Sequence, residues 1–105
     1  MKLVRQINST TCGQACVAMV LGVSIETAIE IVGHKDCVSD EKMLAIFGKQ
    51  FAAGNPPHNS VAIVKHKEPN GDREHWTVWN RGEVLDPACI GKKLWAAYKH
   101  IPIAE

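Results

Sequence analysis

Residues 75–87 read HWTVWNRGEVLDP, and this stretch decides the fold class. HWTVW is rich in aromatic and β-branched side chains, as a strand requires. Asn80, Arg81 and Gly82 form a tight turn, and EVLDP is a second short strand ended by Pro87. Together they predict a hairpin, and so an antiparallel sheet. A two-residue loop at Arg81 and Gly82 sets Thr77 opposite Asp86. His75 then lies on the same sheet face as Asp86, one diagonal step away and within reach of long side chains. A four-residue loop keeps that parity. A three-residue loop reverses it unless a bulge intervenes.

Upstream of the hairpin, SVAIVKH (60–66) reads as a strand and EPNGDRE (68–74) as a turn-rich connection. Downstream, CIGKKLWAAYKHIPIAE (89–105) reads as a short helix followed by a last strand. The first half of the chain has a different period. STTCGQACVAMVLG (9–22) predicts a helix from about Cys12 to Leu21, with Ser9, Thr10 and Thr11 as candidate caps and Gly22 as a stop. VSIETAIEIVG (23–33) is a second helix, capped by Ser24 and ended by Gly33, with Ile25, Ala28, Ile29 and Val32 as its apolar stripe. SDEKMLAIFGKQF (39–51) starts a third at Ser39 or Asp40, and AAGNPPHNS (52–60) is loop. Helices first and antiparallel strands second predict one α+β domain over residues 1–105.

Composition excludes several classes. Of 105 residues, 46% are hydrophobic and 22% charged, with a formal net charge of +1, so no basic surface for nucleic acid is implied. The N-terminus, MKLVRQ, lacks the apolar segment of a secretory signal. The longest apolar run, ACVAMVL, is too short to span a bilayer. A cytoplasmic protein is therefore expected, in which the four cysteines serve as free thiols, ligands or catalysts rather than disulfides.

Cys12 is the residue with chemistry. It falls in the first turn of the first helix, where unsatisfied N–H groups and partial positive charge favour a thiolate, the reactive form of a thiol. Gly13 beside it lets a substrate backbone approach closely. A thiolate also needs a base held by a third group. Among His34, His58, His66, His75 and His100, His75 stands out by context: the hairpin permits, without forcing, Asp86 to hold one ring nitrogen and leave the other to Cys12. Gln6 supplies an amide donor that, with the Cys12 N–H, suits the oxyanion of acyl transfer.

These residues, Gln6, Cys12-Gly13 opening a helix, His75-Trp-Thr-Val on a distant strand and Asp86-Pro87-Ala88, resemble the papain-like cysteine peptidases. The order is most similar to the bacteriocin-processing peptidases that cleave double-glycine leaders, and to their stand-alone relatives. Thr11 stands where that family often has Asp, and the interval from His75 to Asp86 is shorter than usual. The resemblance implies a minimal papain-like fold, with N-terminal helices packed on a C-terminal antiparallel sheet. It implies a thiol protease acting on a peptide or protein substrate without cofactor or metal. Gln6 would be the oxyanion donor, Cys12 the nucleophile, His75 the general base and Asp86 its orienter.

Blander readings stand beside each of these. A catalytically silent, repurposed peptidase fold would serve as a binding or adaptor protein. A zinc-stabilised domain would draw on Cys12, Cys16, His34 and Cys37, although C-x3-C with H-x2-C is a weak zinc pattern. Cys16 reads as core, or as a resolving thiol for an oxidised Cys12. Cys37 and Cys89 read as packing or surface thiols, and His34, His58, His66 and His100 as solvated loop or strand-edge residues. Trp76, beside His75, is a candidate substrate-binding residue and water shield.

Overall fold

The computed structural model describes residues 1–88 and 94–104. Three helices come first: α1 (Cys12–Leu21), α2 (Ile25–Val32) and α3 (Asp40–Phe47). Five strands follow: β1 (Ala52–Ala53), β2 (Val61–Lys67), β3 (Glu74–Asn80), β4 (Glu83–Leu85) and β5 (Ala97–Ala104). Their order in the sheet is β1-β5-β2-β3-β4, antiparallel throughout. The architecture is α+β, three helices packed on a five-stranded antiparallel sheet.

The helix limits follow local chemistry. Ser24 and Ser39 accept from the backbone N–H of Thr27 and Lys42, which satisfies donors that the first turns of α2 and α3 leave open. α1 starts differently. Its N-cap, Thr11, turns its hydroxyl away from the helix and accepts from the N–H groups of Ile7 (2.9 Å) and Asn8 (3.2 Å). Thr11 therefore fixes the segment entering α1 and leaves the helix's own N-terminal donors uncapped by its side chain. Every residue of α1 from Cys12 to Met19 is buried, as befits a helix surrounded by the rest of the fold.

The hairpin at 80–83 closes with Asn80 opposite Glu83, so its loop is Arg81 and Gly82 alone. Both have positive φ (46° and 99°), the requirement of the type I′ turn that matches strand twist. The ladder runs from that pair through Trp79↔Val84 to Val78↔Leu85, a register whose continuation sets Thr77 against Asp86. Alternation then sorts the side chains of β3. Trp76 and Val78 join Ile63, Leu85 and Ile101 in the core with α1, while His75 and Thr77 face the other way, beside His66. β2 is buried on both faces, with Ile63 on one and Ala62 and Val64 on the other.

Three expectations change. Ala52 and Ala53, expected in a loop, form an edge strand paired with His100 and Lys99. His66 and His100 are buried rather than solvated, because both lie on strands with a neighbour on each side. Their ring nitrogens find partners inside the fold: His100 Nδ1 bonds the carbonyl of Gly54 at 2.9 Å. The third concerns residues 94–96, which are irregular before β5 begins. The rest of the short helix expected there, residues 89–93 with Cys89, lies outside the described residues.

Gly13 is a packing glycine. A Cβ built there would stand 2.6 Å from Val38 Cγ2 and 2.9 Å from Val38 Cβ, with Trp76 Cδ1 at 3.2 Å on the other side. Its missing side chain thus serves the close approach of α1 to Val38 and Trp76, rather than the approach of a substrate. Gly13→Ala should destabilise the fold by about 1–3 kcal/mol, the usual cost of overpacking, measurable as a lower midpoint in urea.

Among the described residues, no single helix is long and apolar enough to cross a membrane.

Candidate active site

One cleft of about 670 Å³ opens where the N-terminus of α1 meets the start of β3. Its lining includes Gln6, Cys12, His75, Trp76 and Asp86, five of the six residues singled out from the sequence. The sixth, Gly13, lies beneath Val38 as described above.

His75 Nε2 lies 2.7 Å from Asp86 Oδ1. The same oxygen accepts the backbone N–H of Ala88 at 3.0 Å, which fixes the carboxylate in the bend after β4. The contact exists because the two-residue loop sets β3 and β4 in the one register that gives His75 and Asp86 a common face. Cys12 lies close enough to influence the imidazole, and with Nε2 on Asp86 the ring's Nδ1 is the nitrogen that Asp86 leaves open. Burial alone would lower the basicity of His75. Hydrogen bonds to Cys12 and Asp86, and the charge of both, outweigh it and raise its pKa to about 9. The shift favours the protonated form of the ring.

Cys12 is only 7% exposed, and its thiol is presented at the N-terminal end of α1. Cys16, one turn deeper, is fully buried, and its pKa is pushed well above the ordinary thiol value by burial first and by Cys12 and Asp86 next. That suits a core residue with an inert thiol.

Gln6 reaches the cleft from the N-terminal segment. Its backbone N–H bonds the carbonyl of Pro87 at 3.1 Å, tying it to the bend that carries Asp86. Its Nε2 donates to the Asn8 carbonyl at 2.8 Å. The opposite amide orientation would press Oε1 against that carbonyl, so Nε2 belongs there, and one of its two hydrogens remains for another acceptor. Gln6 Oε1 is buried with no partner among the described residues.

Trp76 is 4% exposed, with Nε1 donating to the Val38 carbonyl at 3.3 Å and its ring stacked on Phe51. It lies on the opposite sheet face from His75 and lines the cleft while almost wholly buried.

Gln14, unmarked in the sequence, and Cys37, read there as a packing or surface thiol, also build the site. Gln14 is fully buried in α1 and donates to the carbonyls of His34 (2.9 Å) and Asp36 (2.8 Å), pinning the loop 34–38 to the helix that carries Cys12. Cys37 and Val38 of that loop form one side of the cleft. No periodicity marks such a loop, and only the polar residue at a buried helix position hinted at it. Among the described residues no group of three or more His, Cys, Asp and Glu side chains is placed to hold a metal ion, so Cys12, Cys16, His34 and Cys37 do not gather into a zinc site.

Comparison with protein-family models, with curated proteins and with solved structures finds no match for this chain.

Proposed function

We propose that this chain is a cysteine peptidase, or a closely related thiol acyl-transfer hydrolase, on a minimal papain-like fold. The observation that carries the reading is the His75–Asp86 contact of 2.7 Å in the same cleft as Cys12; Asp86 and Cys12 together raise the basicity of the ring. A structural histidine needs no thiol beside it, and a core thiol needs no imidazole.

In the proposed reaction Cys12 attacks a peptide or isopeptide carbonyl as the anionic partner of the His75 imidazolium. The electron pair of the carbonyl moves onto its oxygen. The backbone N–H of Cys12, uncapped by Thr11, and the second amide hydrogen of Gln6 stabilise that oxyanion. His75 then gives its proton to the departing amine, and the C–N bond breaks. Water, deprotonated by His75, clears the acyl-enzyme and regenerates the thiolate and imidazolium. Asp86 holds the ring in the orientation that both proton transfers need.

Gln6 separates chemistry from nucleophile formation. Gln6→Ala should lower peptide turnover by about 100-fold, the usual effect of losing one oxyanion donor. It should leave the rate of Cys12 alkylation by iodoacetamide near wild type, since alkylation makes no oxyanion. Equal loss in both assays would assign Gln6 to scaffolding instead. A chain that labels at Cys12 yet cuts no peptide or isopeptide bond would point to the repurposed, binding use of the fold.

A further inference from the structure

The cleft has a second wall that the reaction above does not use. Leu94 and Trp95 line the cleft together with Val38 and Ala88, an apolar set beside the charged Lys65, Asp72, Arg73 and Glu74. Trp95 is held from two directions. Its backbone carbonyl lies 2.8 Å from Nδ1 of His66, and the Arg73 guanidinium sits 5.6 Å from its ring centre. Arg73 is itself fixed by a two-pronged contact with Glu68, at 2.9 and 2.8 Å.

His66 is the unusual member. It is 6% exposed, stands directly across from His75 in the β2–β3 ladder, and uses both ring nitrogens. A carbonyl only accepts, so Nδ1 carries a proton and donates to Trp95. Nε2 lies 2.8 Å from Thr77 Oγ1, whose hydroxyl can donate back to it. This is the neutral form of the ring. Burial, together with the nearby His75 cation, lowers its pKa and keeps it neutral.

We propose that the Trp95 wall is a subsite for an apolar, preferably aromatic, side chain of the substrate next to the bond attacked by Cys12, and that His66 is the positioning residue that holds this wall. The inference rests on the proposed role of Cys12. A flat, anchored indole beside the nucleophile offers area to a ring without side-chain ordering on binding. The buried imidazole joins the wall to the strand that bears His75, so the nucleophile and its subsite keep one geometry.

The test uses two alkylating probes on the full chain, iodoacetamide and N-benzyl-iodoacetamide. Rates at Cys12 are read by mass spectrometry and divided by the rates of the same reagents with free cysteine. The absolute rate reports on Cys12 as nucleophile. The ratio of the two probes reports on the subsite, and it can be read even if Cys12 is not activated. Wild type should favour the benzyl probe by about tenfold, the scale of a well-filled apolar pocket. Trp95→Ala should bring the ratio near one, and Trp95→Phe should keep most of it. His66→Asn places its amide where Nδ1 was and should retain the preference. His66→Gln, whose amide falls where Nε2 was, should lose it. A merely structural histidine would make those two variants alike. No preference in wild type, an unchanged ratio in Trp95→Ala, or equal ratios in the two His66 variants would overturn the proposal.

Discussion

His75→Ala should slow the alkylation of Cys12 at pH 7 by about 100-fold or more, within the range contributed by a positioned acid–base partner. The cause is the loss of the cation beside the thiol. In wild type the ring, with its pKa raised to about 9, favours the protonated form that supports a thiolate beside it. The same shift has a consequence for stability. The folded value lies above the ordinary histidine value of ~6.5, so the pair's contribution is fully present below that pH. It is lost as pH rises through about 9. Wild type should therefore lose stability between those two values in urea titrations, and His75→Ala should lack that slope. A wild-type labelling rate no faster than that of His75→Ala would contradict the partnership of His75 with Cys12.

The largest stability effect should come from Asp40, outside the cleft. Lys65 is 6% exposed on β2, and its ammonium bonds Asp40 and, at 3.0 Å, Glu74. It lies 4.6 Å from the centre of the Trp76 ring, and Lys99 bonds the other oxygen of Asp40 at 2.7 Å. One carboxylate at the start of α3 thus ties that helix to two strands. Burial opposes the charge of Asp40, but the hydrogen bonds from Lys65 and Lys99 hold its carboxyl below the usual range. Burial also opposes the charge of Lys65, which Asp40 and then Glu74 hold above the usual lysine value. Asp40→Ala leaves Lys65 buried with half its partners, which should cost about 3 kcal/mol. The wild-type contribution of Asp40 should be present above ~pH 3.9 and vanish as pH falls through its depressed value. Urea unfolding of wild type and Asp40→Ala at pH 7 and pH 3 checks both statements. A difference that is the same at the two pH values would remove the charge network from the account.

Much of the architecture is legible in local chemistry. The limits of α1, the serine caps of α2 and α3 and the two-residue turn at Arg81 and Gly82 are decided by neighbours in sequence, so the residues announce them. The His75–Asp86 contact is nearly local too, since a tight turn fixes the parity of everything along both strands. What stayed hidden depends on distant partners. His66 and His100 look like polar strand residues until neighbouring strands enclose them. Lys65 reads as a solvated lysine until α3 brings Asp40 over it. Gly13 suggested room for a substrate because the sequence does not show that Val38 occupies that room. Val38 and Trp95, which both line the cleft, come from separate segments that only the tertiary fold brings together.

The most direct measurement of the central claim is peptide profiling. A complex mixture of unmodified peptides and isopeptide-linked peptides is incubated with wild type and with Cys12→Ala at pH 7, and the newly formed termini are counted by mass spectrometry. The account predicts new termini with wild type alone, and an acyl adduct on Cys12 when the reaction is quenched early. Equal cleavage by the two proteins, or none by a correctly folded wild type, would contradict Cys12 as the nucleophile of a peptidase.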